Sequence, residues 1–343
     1  GLDDEDIFKV SGKGENLIKI RIIGGQNKDT YIIEEGSQIK VYDYKSKESK
    51  FITNKGSRKL TDDYETNVYN YKKPTYNSNQ FVPSIGSNPD DGFKIGFANT
   101  FTVNGFERNP FTSQHIVSAA YYFATKGFDI SYSGEFANII GSANLMVDAK
   151  FTSPNYAINF FGYGNETVNP EADENDGLDV DLDYNRVKLR TIKIATSLQW
   201  HGDLGSKVKL GLSYESIEVE ETEGRFINTI IGNNVDVYNN FVGAELSYGF
   251  ENRDNKAFPT LGMETNVHLG YKSNINDSNG FGYLIPSIAF DYRLTSNGQL
   301  VLATKLGGRI NIGDDFEFYQ GANLGANNGL RGYRNERFTG KSS

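Results

Sequence analysis

This 343-residue chain predicts an all-β fold, a transmembrane antiparallel β-barrel preceded by a small β segment. Three observations carry that expectation. Apolar and polar residues alternate with period two in segment after segment. Most segments run about 9–12 residues, the length of a tilted strand that crosses a bilayer. The connectors alternate between long and short, as they do where one rim of a barrel carries tight turns and the other carries loops.

Residues 1–82 hold short alternating pieces at 17–23, 30–34, 38–44 and 50–53, with no helical periodicity. They read as a small β extension. Gly24, Gly25, Gln26, Asn27, Lys28 and Asp29 faintly echo a calcium-binding β-roll repeat. The run occurs once and has Asn where the repeat has Gly, so it reads as a turn. Residues 66–91 are rich in Asn, Pro, Ser and Tyr and read as the linker into a barrel domain over 83–343.

Strands are expected at 93–103, 115–123, 128–136, 141–152, 156–162, 191–200, 207–214, 242–250, 263–272, 284–294 and 300–312. In 141–152, Ala143, Leu145, Val147, Ala149 and Phe151 share a face, against Ser142, Asn144, Asp148 and Lys150 (Met146 breaks the pattern). In 207–214, Val208, Leu210, Leu212 and Tyr214 oppose Lys207, Lys209, Gly211 and Ser213. A soluble sandwich would bury the apolar face and use strands of about 5–6 residues. A barrel turns that face to lipid and lines its lumen with the polar one. Strand length favours the barrel. So does the polar face, where Gly96, Gly211, Gly243, Gly249 and Gly307 mix with Lys, Glu and Arg. Phe106, Phe123, Tyr214, Phe250, Tyr271 and Tyr292 fall near strand ends, as interfacial girdles do.

Long connectors are expected at 104–113, 164–183, 220–239, 273–280 and from 313 onward, short ones at 125–127, 153–155, 201–205 and 295–298. Residues 138–141 are short for an outer loop and 251–261 long for a turn. The pattern places the N-terminal segment in the periplasm and the tail outside. About eleven strands is an odd number, and unpaired backbone groups in lipid cost several kcal/mol each. Single-chain bacterial barrels have even counts. The visible strands are therefore expected to be an incomplete set.

The remaining composition excludes several functions. With no Cys there are no disulfides or thiolate metal sites. No window approaches about 18 consecutive apolar residues, so no transmembrane helix is expected. The start, GLDDEDIFKV, lacks the basic and apolar regions of a signal peptide, so the signal is expected to have been removed or to lie upstream. A net charge of −9 without a basic stripe argues against nucleic acid and reads as solubility. His115, His201 and His268 lie on different elements, and no nucleophile elbow, P-loop or paired-histidine motif is present. No catalytic residue, metal or cofactor is expected. The acidic stretch 170–183 has hard oxygen ligands suited to Ca²⁺ but lacks the ordered spacing of an EF-hand, and reads as a solvated loop.

Leu330, Arg331, Gly332 and Tyr333 resemble the (V/L)RG(F/Y) motif of the BamA/TamA outer-membrane assembly superfamily, which sits on the sixth external loop after the eleventh of sixteen strands. Arg253 and Asp254, with Phe258, Pro259 and Gly262, resemble that family's RD…FPxxG signature at a periplasmic turn. The runs at 89–92, 105–111 and 159–167 are similar to the Bacteroidota branch, in which the barrel is often fused behind a periplasmic metallophosphatase-like domain. The resemblance covers about residues 83–343.

The resemblance implies a sixteen-stranded outer-membrane barrel of which the chain holds about eleven strands, ending in the sixth external loop. It implies that Arg331 folds into the lumen to meet carboxylates on a later strand, with Gly329 and Gly332 turning the backbone beside it. The first strand, carrying Phe93, Ile95, Phe97, Phe101 and Val103, would be a lateral edge at which client strands dock. Insertion of proteins into the outer membrane, or translocation across it, is the implied function. Outer-membrane lipid, client outer-membrane proteins and accessory assembly subunits are the implied partners. The alternatives are a barrel anchor for an upstream metallophosphatase, which the lack of helical POTRA modules keeps open, and a passive pore.

Overall fold

A computed structural model describes residues 4–12, 18–68, 75–88, 90–169, 183–231 and 237–343. The chain forms two compact units. One comprises Gly1–Asn77 with Val103–Thr112, the other Ser78–Thr102 with Ser113–Ser343.

The first unit is a parallel coil. Strands β1 (Ile7–Val10), β3 (Thr30–Ile33) and β5 (Lys50–Asn54) pair in parallel as one sheet. Strands β2 (Ile20–Ile23), β4 (Ile39–Asp43) and β6 (Ser57–Leu60) form a second. Successive turns of chain thus stack, and the alternating pieces bury one face between the sheets. Ile22, Tyr31, Ile33, Ile39 and Val41 make the core, with Phe8, Val10 and Phe51 against it. The Tyr31 ring stacks on Phe8 at 5.3 Å and on Phe51 at 4.9 Å. Its hydroxyl donates to Asp43 at 2.9 Å. Burial first, then the Asp43 carboxylate, push that hydroxyl far above its ordinary pKa. The stretch 24–29 forms the turn between β2 and β3. Its Asp29 carboxylate accepts the Asp6 backbone N–H at 2.8 Å.

The connector expected at 104–113 as an external loop belongs to this unit. Glu107 accepts hydrogen bonds from Lys40, Lys59 and Tyr42, each at 2.7 Å. Phe106 packs on Tyr42 at 4.7 Å beneath the Arg21 guanidinium, so it is not a girdle residue.

In the second unit the chain runs up and down through one large antiparallel sheet. Its strands are β7 (Ser78–Asn88), β8 (Gly92–Val103), β9 (Ser113–Tyr122), β10 (Gly127–Ile140), β11 (Ala143–Thr152), β12 (Ala157–Asn159), β13 (Arg186–His201), β14 (Ser206–Val219), β15 (Tyr238–Glu251), β16 (Gly262–Asn274), β17 (Gly280–Arg293), β18 (Val301–Gly307) and β19 (Ile310–Ile312). The path runs from β7 to β18 in chain order, with β12 attached to β13 and β19 to β17. Apolar residues face out. On β14, Leu212 is 66% exposed while Ser213 and Glu215, on the opposite face, are 7% and 6% exposed. A soluble sandwich would show the reverse.

Two corrections follow. The stretch 78–88, expected to be linker, is a full strand. The strand expected at 156–162 is only the three-residue β12. Eleven strands still lie on the path, but a different eleven. The change moves the connectors near 104–113 and 138–141 to the other rim. They now share a near rim with the turns after β13, β15 and β17. The connectors after β7, β9, β11, β14 and β16, and the tail, lie at the far rim. The short 138–141 turn is then no anomaly. Of the acidic stretch, 170–182 lie outside the described residues.

Glu107 sets a pH dependence for the first unit. Burial alone would raise its carboxyl, but the hydrogen bonds from Lys40, Lys59 and Tyr42 outweigh burial and hold it at about 2, below its ordinary 4.5. A depressed folded-state value means stabilisation that is complete above 4.5 and disappears as pH falls through about 2. Hydrogen exchange of the unit's amides between those limits should accelerate in the wild type. Glu107→Gln should cost about 1–3 kcal/mol at neutral pH and flatten the profile.

Candidate functional site

The second unit concentrates its unpaired backbone at two edges. β7 pairs with β8 alone and β18 with β17 alone. On β7 the outward phase carries Phe81, Pro83 and Ile85, with Pro83 opposite Phe97 and Ile85 opposite Ile95. Proline has no N–H, so an edge strand can hold it with that side turned away from its neighbour, and an interior strand can hold it at an irregularity, as β17 holds Pro286 beside the β18–β19 break. The edge expected at Phe93, Ile95, Phe97, Phe101 and Val103 is β8, the second strand, hydrogen-bonded on both sides. Those residues instead form the outward wall beside the edge, with Phe97 stacked on Phe81 at 5.5 Å. The other edge is partly covered by the chain itself. Asn311 N–H donates to Lys341 O at 2.8 Å and Ser343 N–H to Arg309 O at 2.9 Å, leaving Val301–Gly307 free. A mainly apolar cavity of about 430 Å³ opens at the break between β18 and β19, lined by Val267, Pro286, Ile288, Leu306 and Ile310.

Glycines on the lumen face let long side chains lie across a neighbouring strand. Glu215 on β14 binds Lys193 on β13 at 2.8 Å and Lys272 on β16 at 2.6 Å. Lys272 reaches Glu215 over β15 at Gly243, where an added Cβ would come within 2.8 Å of Ser213 and 3.3 Å of Lys272. Tyr283 on β17 lies over Gly270 and donates to Glu245 on β15 at 3.2 Å. A Cβ at Gly270 would stand 2.2 Å from the Tyr283 ring.

His268, expected on the lumen face, lies there. Ser247 Oγ is 2.5 Å from its Nδ1 and Glu245 is 3.7 Å from its Nε2. This resembles a Ser–His–acid triad, but the backbone around it is committed to the β15–β16 ladder and offers no oxyanion site. His115 meets Tyr132 at 2.9 Å and His201 meets Glu135 at 3.3 Å. No group of three metal-ligating side chains occurs among the described residues.

At the near rim, the Arg253 guanidinium binds Glu264 at 2.5 Å on β16 and Asp291 at 2.8 Å on β17. Asp254 closes the loop by accepting the Thr260 hydroxyl at 2.6 Å and the N–H groups of Thr260 and Leu261. Those three bonds hold its carboxyl well below the usual range. Gly262 starts β16 with φ +126°, while Phe258, followed by Pro259, is 82% exposed at the loop tip. Arg and Asp thus shape the turn, and Phe258 is presented outward.

At the far rim the tail forms its own antiparallel pair, β20 (Ala322–Leu324) with β21 (Phe338–Gly340), closing a loop over 325–337. Leu330, Arg331, Gly332 and Tyr333 lie in that loop. Gly329 and Gly332 adopt φ +93° and +95°, conformations that favour glycine. Arg331 is exposed and pairs with no described residue. The buried arginine is the next one. Arg334 donates to Asp90, in the β7–β8 turn, through Nε at 2.8 Å, with its NH2 at 2.6 Å. Arg186, 3% exposed, donates to Asp91 at 3.1 Å and lies 3.9 Å from Asp90. Glu336 accepts the Asn159 N–H at 3.2 Å, and burial pushes its carboxyl up. Phe160, Val187, Leu189, Ile217, Val219, Ile227 and Phe318 make an apolar core between this tail and β12–β14. Sequence reasoning singled out Arg331 but missed Arg334, Arg186, Glu336 and the role of Asp90. A second arginine three residues after the first was the available signal.

Gly270→Leu should displace Tyr283 from Glu245 and lower stability by about 1–3 kcal/mol, the cost of overpacking. The fraction of folded barrel surviving heat on semi-native gels would show it. An equal loss in Gly270→Leu with Tyr283→Ala, which removes the clash, would contradict this cause.

No protein-family model and no curated protein matches the chain. Among solved structures, the chain is similar to the crystal structure of BamA from Haemophilus ducreyi lacking POTRA domains 1–3, with a TM-score of 0.53 and 15% identity. The match covers 77% of this chain and 47% of that one, so this chain spans less than half its length. At that identity the likeness establishes the fold: an antiparallel barrel wall of the BamA type.

Proposed function

We propose that the chain is the barrel portion of a BamA-like outer-membrane protein that inserts proteins into, or translocates them across, that membrane through a lateral strand edge. The observation that carries this is β7. It is the first strand, it has a neighbour on one side only, it holds a proline, and it turns Phe81 and Ile85 outward. A client strand can pair with such an edge by β-augmentation while the outward side chains stay in lipid. The lumen face is not a through-path in this account, because the apolar core of the tail fills its far end. The near rim, with the Arg253–Asp254 loop, faces the periplasm. The partners are outer-membrane lipid, unfolded client outer-membrane proteins and accessory assembly subunits, with no nucleic acid and no catalysis.

A second reading is favoured by the first unit. It is a parallel β-coil rather than a mixed α/β module. That suits a spacer between the barrel and an upstream periplasmic enzyme, as in the Bacteroidota proteins with a metallophosphatase-like domain. The barrel would then be an anchor.

In the intact protein, a photo-crosslinker placed at Gln80 or Ser84 should capture a client strand during insertion into liposomes, and one at Lys209 on β14 should not. Equal capture at all three sites, or none at Gln80 and Ser84, would remove the lateral-edge reading and leave the anchor. Arg331 is proposed to meet lumen carboxylates beyond the strands described here. Arg331→Ala in the intact protein should then lower the heat resistance of the folded barrel, and unchanged migration on semi-native gels would refute the bracing role.

A further inference from the structure

Asp90 and Arg334 are 244 residues apart in sequence, yet they make one of the more buried ion pairs of the second unit, 6% and 14% exposed. Asp90 lies in the turn that joins edge strand β7 to β8. Arg334 lies in the tail, which is continuous with β19 beside the opposite edge. The tail therefore connects the two edges of the open sheet at the far rim. The carboxylates facing Arg334 and Arg186 are Asp90, Asp91, Asp183 and the buried Glu336. The Arg334 guanidinium also lies 5.4 Å over the Phe161 ring, and Arg337 covers the same ring at 5.0 Å. Gly164 N–H donates to Thr339 O at 2.8 Å, which ties the tail to the β12 excursion. Asn88 and Asp91 hydrogen-bond each other's side chain and backbone at 2.9 and 2.7 Å, so the turn is rigid in itself. What holds the turn in place is Asp90 and Asp91 gripped by two arginines from elsewhere in the unit.

We propose that the Asp90–Arg334 pair is a latch on the edge hairpin: while it is closed, the β7–β8 turn is held to the tail, and its release frees the hairpin to move and lets the β7 edge open to a client strand. The latch rests on the lateral-edge reading for its use, but not for its existence. A buried pair in which two guanidinium nitrogens converge on one carboxylate oxygen, Asp90 Oδ1, resists separation because each partner would be left charged and desolvated. At the near-rim end Asn104, just past β8, donates to Asn77 Oδ1 and Tyr76 O at 2.8 Å each, an exposed tie rather than a buried charge pair. Opening is therefore controlled from the turn.

The test is hydrogen exchange on the intact protein in lipid nanodiscs, comparing β7 with β16. Arg334→Gln and Asp90→Asn should each raise β7 exchange by about tenfold or more and leave β16 within about twofold. Arg334→Lys, which keeps the charge but loses the fork, should fall between them and the wild type. The chain has no cysteine, so Asp90→Cys with Arg334→Cys, bridged by a short bis-thiosulfonate reagent, makes a closed latch and should slow β7 below the wild type. Unchanged β7 exchange in the two neutral variants, or equal acceleration in β7 and β16, would overturn the latch. Insertion of an unfolded outer-membrane protein into liposomes separates the two ideas. If β7 exchange responds as expected while the bridged and unbridged proteins insert clients equally, the latch stands and the lateral-edge function fails. If the bridge blocks insertion without slowing β7, the latch fails and the function stands.

Discussion

A backbone N–H or C=O facing hydrocarbon without a partner costs several kcal/mol, and this constraint orders the second unit. Every strand on the path from β8 to β17 is hydrogen-bonded on both sides, β12 lying off it. The apolar phase points away from the lumen, and the polar phase is buried across it. Two places escape the constraint, the outer margins of β7 and β18. The sequence treats them differently. β18 is followed by a chain that folds back to cover β19 through Lys341 and Ser343. β7 is left bare and carries Pro83 and Gly86.

Inside the wall a second constraint operates. A charge in the lumen must be paired, and its partner on the same face often lies two strands away. Gly243 and Gly270 solve this by leaving room for Lys272 and Tyr283 to lie flat over the intervening strand. Glu215, 6% exposed, is then met by two lysines from opposite sides. A buried pair of this kind adds little net stability over an apolar substitute but is costly to break from one side. It fixes which strands stand opposite one another more than it deepens the fold. The glycines on the polar face are the positions that let its long charged side chains pair.

The alternation that predicts the barrel was legible because each crossing strand has one face in lipid. It failed where that condition fails. β7 reads as linker because its inward face carries Ser, Gln and Gly beside Val82 and its outward face a proline, a composition without clear alternation. The 156–162 run reads as a strand because Ile158, Phe160 and Phe161 are apolar, but Phe160 is buried against Phe318 rather than turned to lipid. The first unit's parallel stacking leaves no motif, since the repeat lies in spacing and burial rather than residue identity. Glu107 and Arg334 act through partners 48 to 67 and 244 residues away. No local pattern encodes such partners, so a chain reading can name the charged residue but not its mate.

The far rim bears on whether the lumen or an edge serves the proposed role. Water and ions cross a barrel through a polar, open lumen. Here the inward phase of β13 and β14 changes character toward the far rim, from Lys193 and Glu215 to Leu189, Val187, Ile217 and Val219. Phe160 and Phe318, 4.7 Å apart, close over those side chains. An apolar cluster of that kind excludes water, and dispersing it would expose all seven of its buried residues together. The same tail that closes the lumen grips the turn of β7. Closing the far end of the lumen and holding the β7–β8 turn thus fall to one segment of chain, the first through an apolar core and the second through Arg334, which acts beside Arg186 on Asp90 and Asp91.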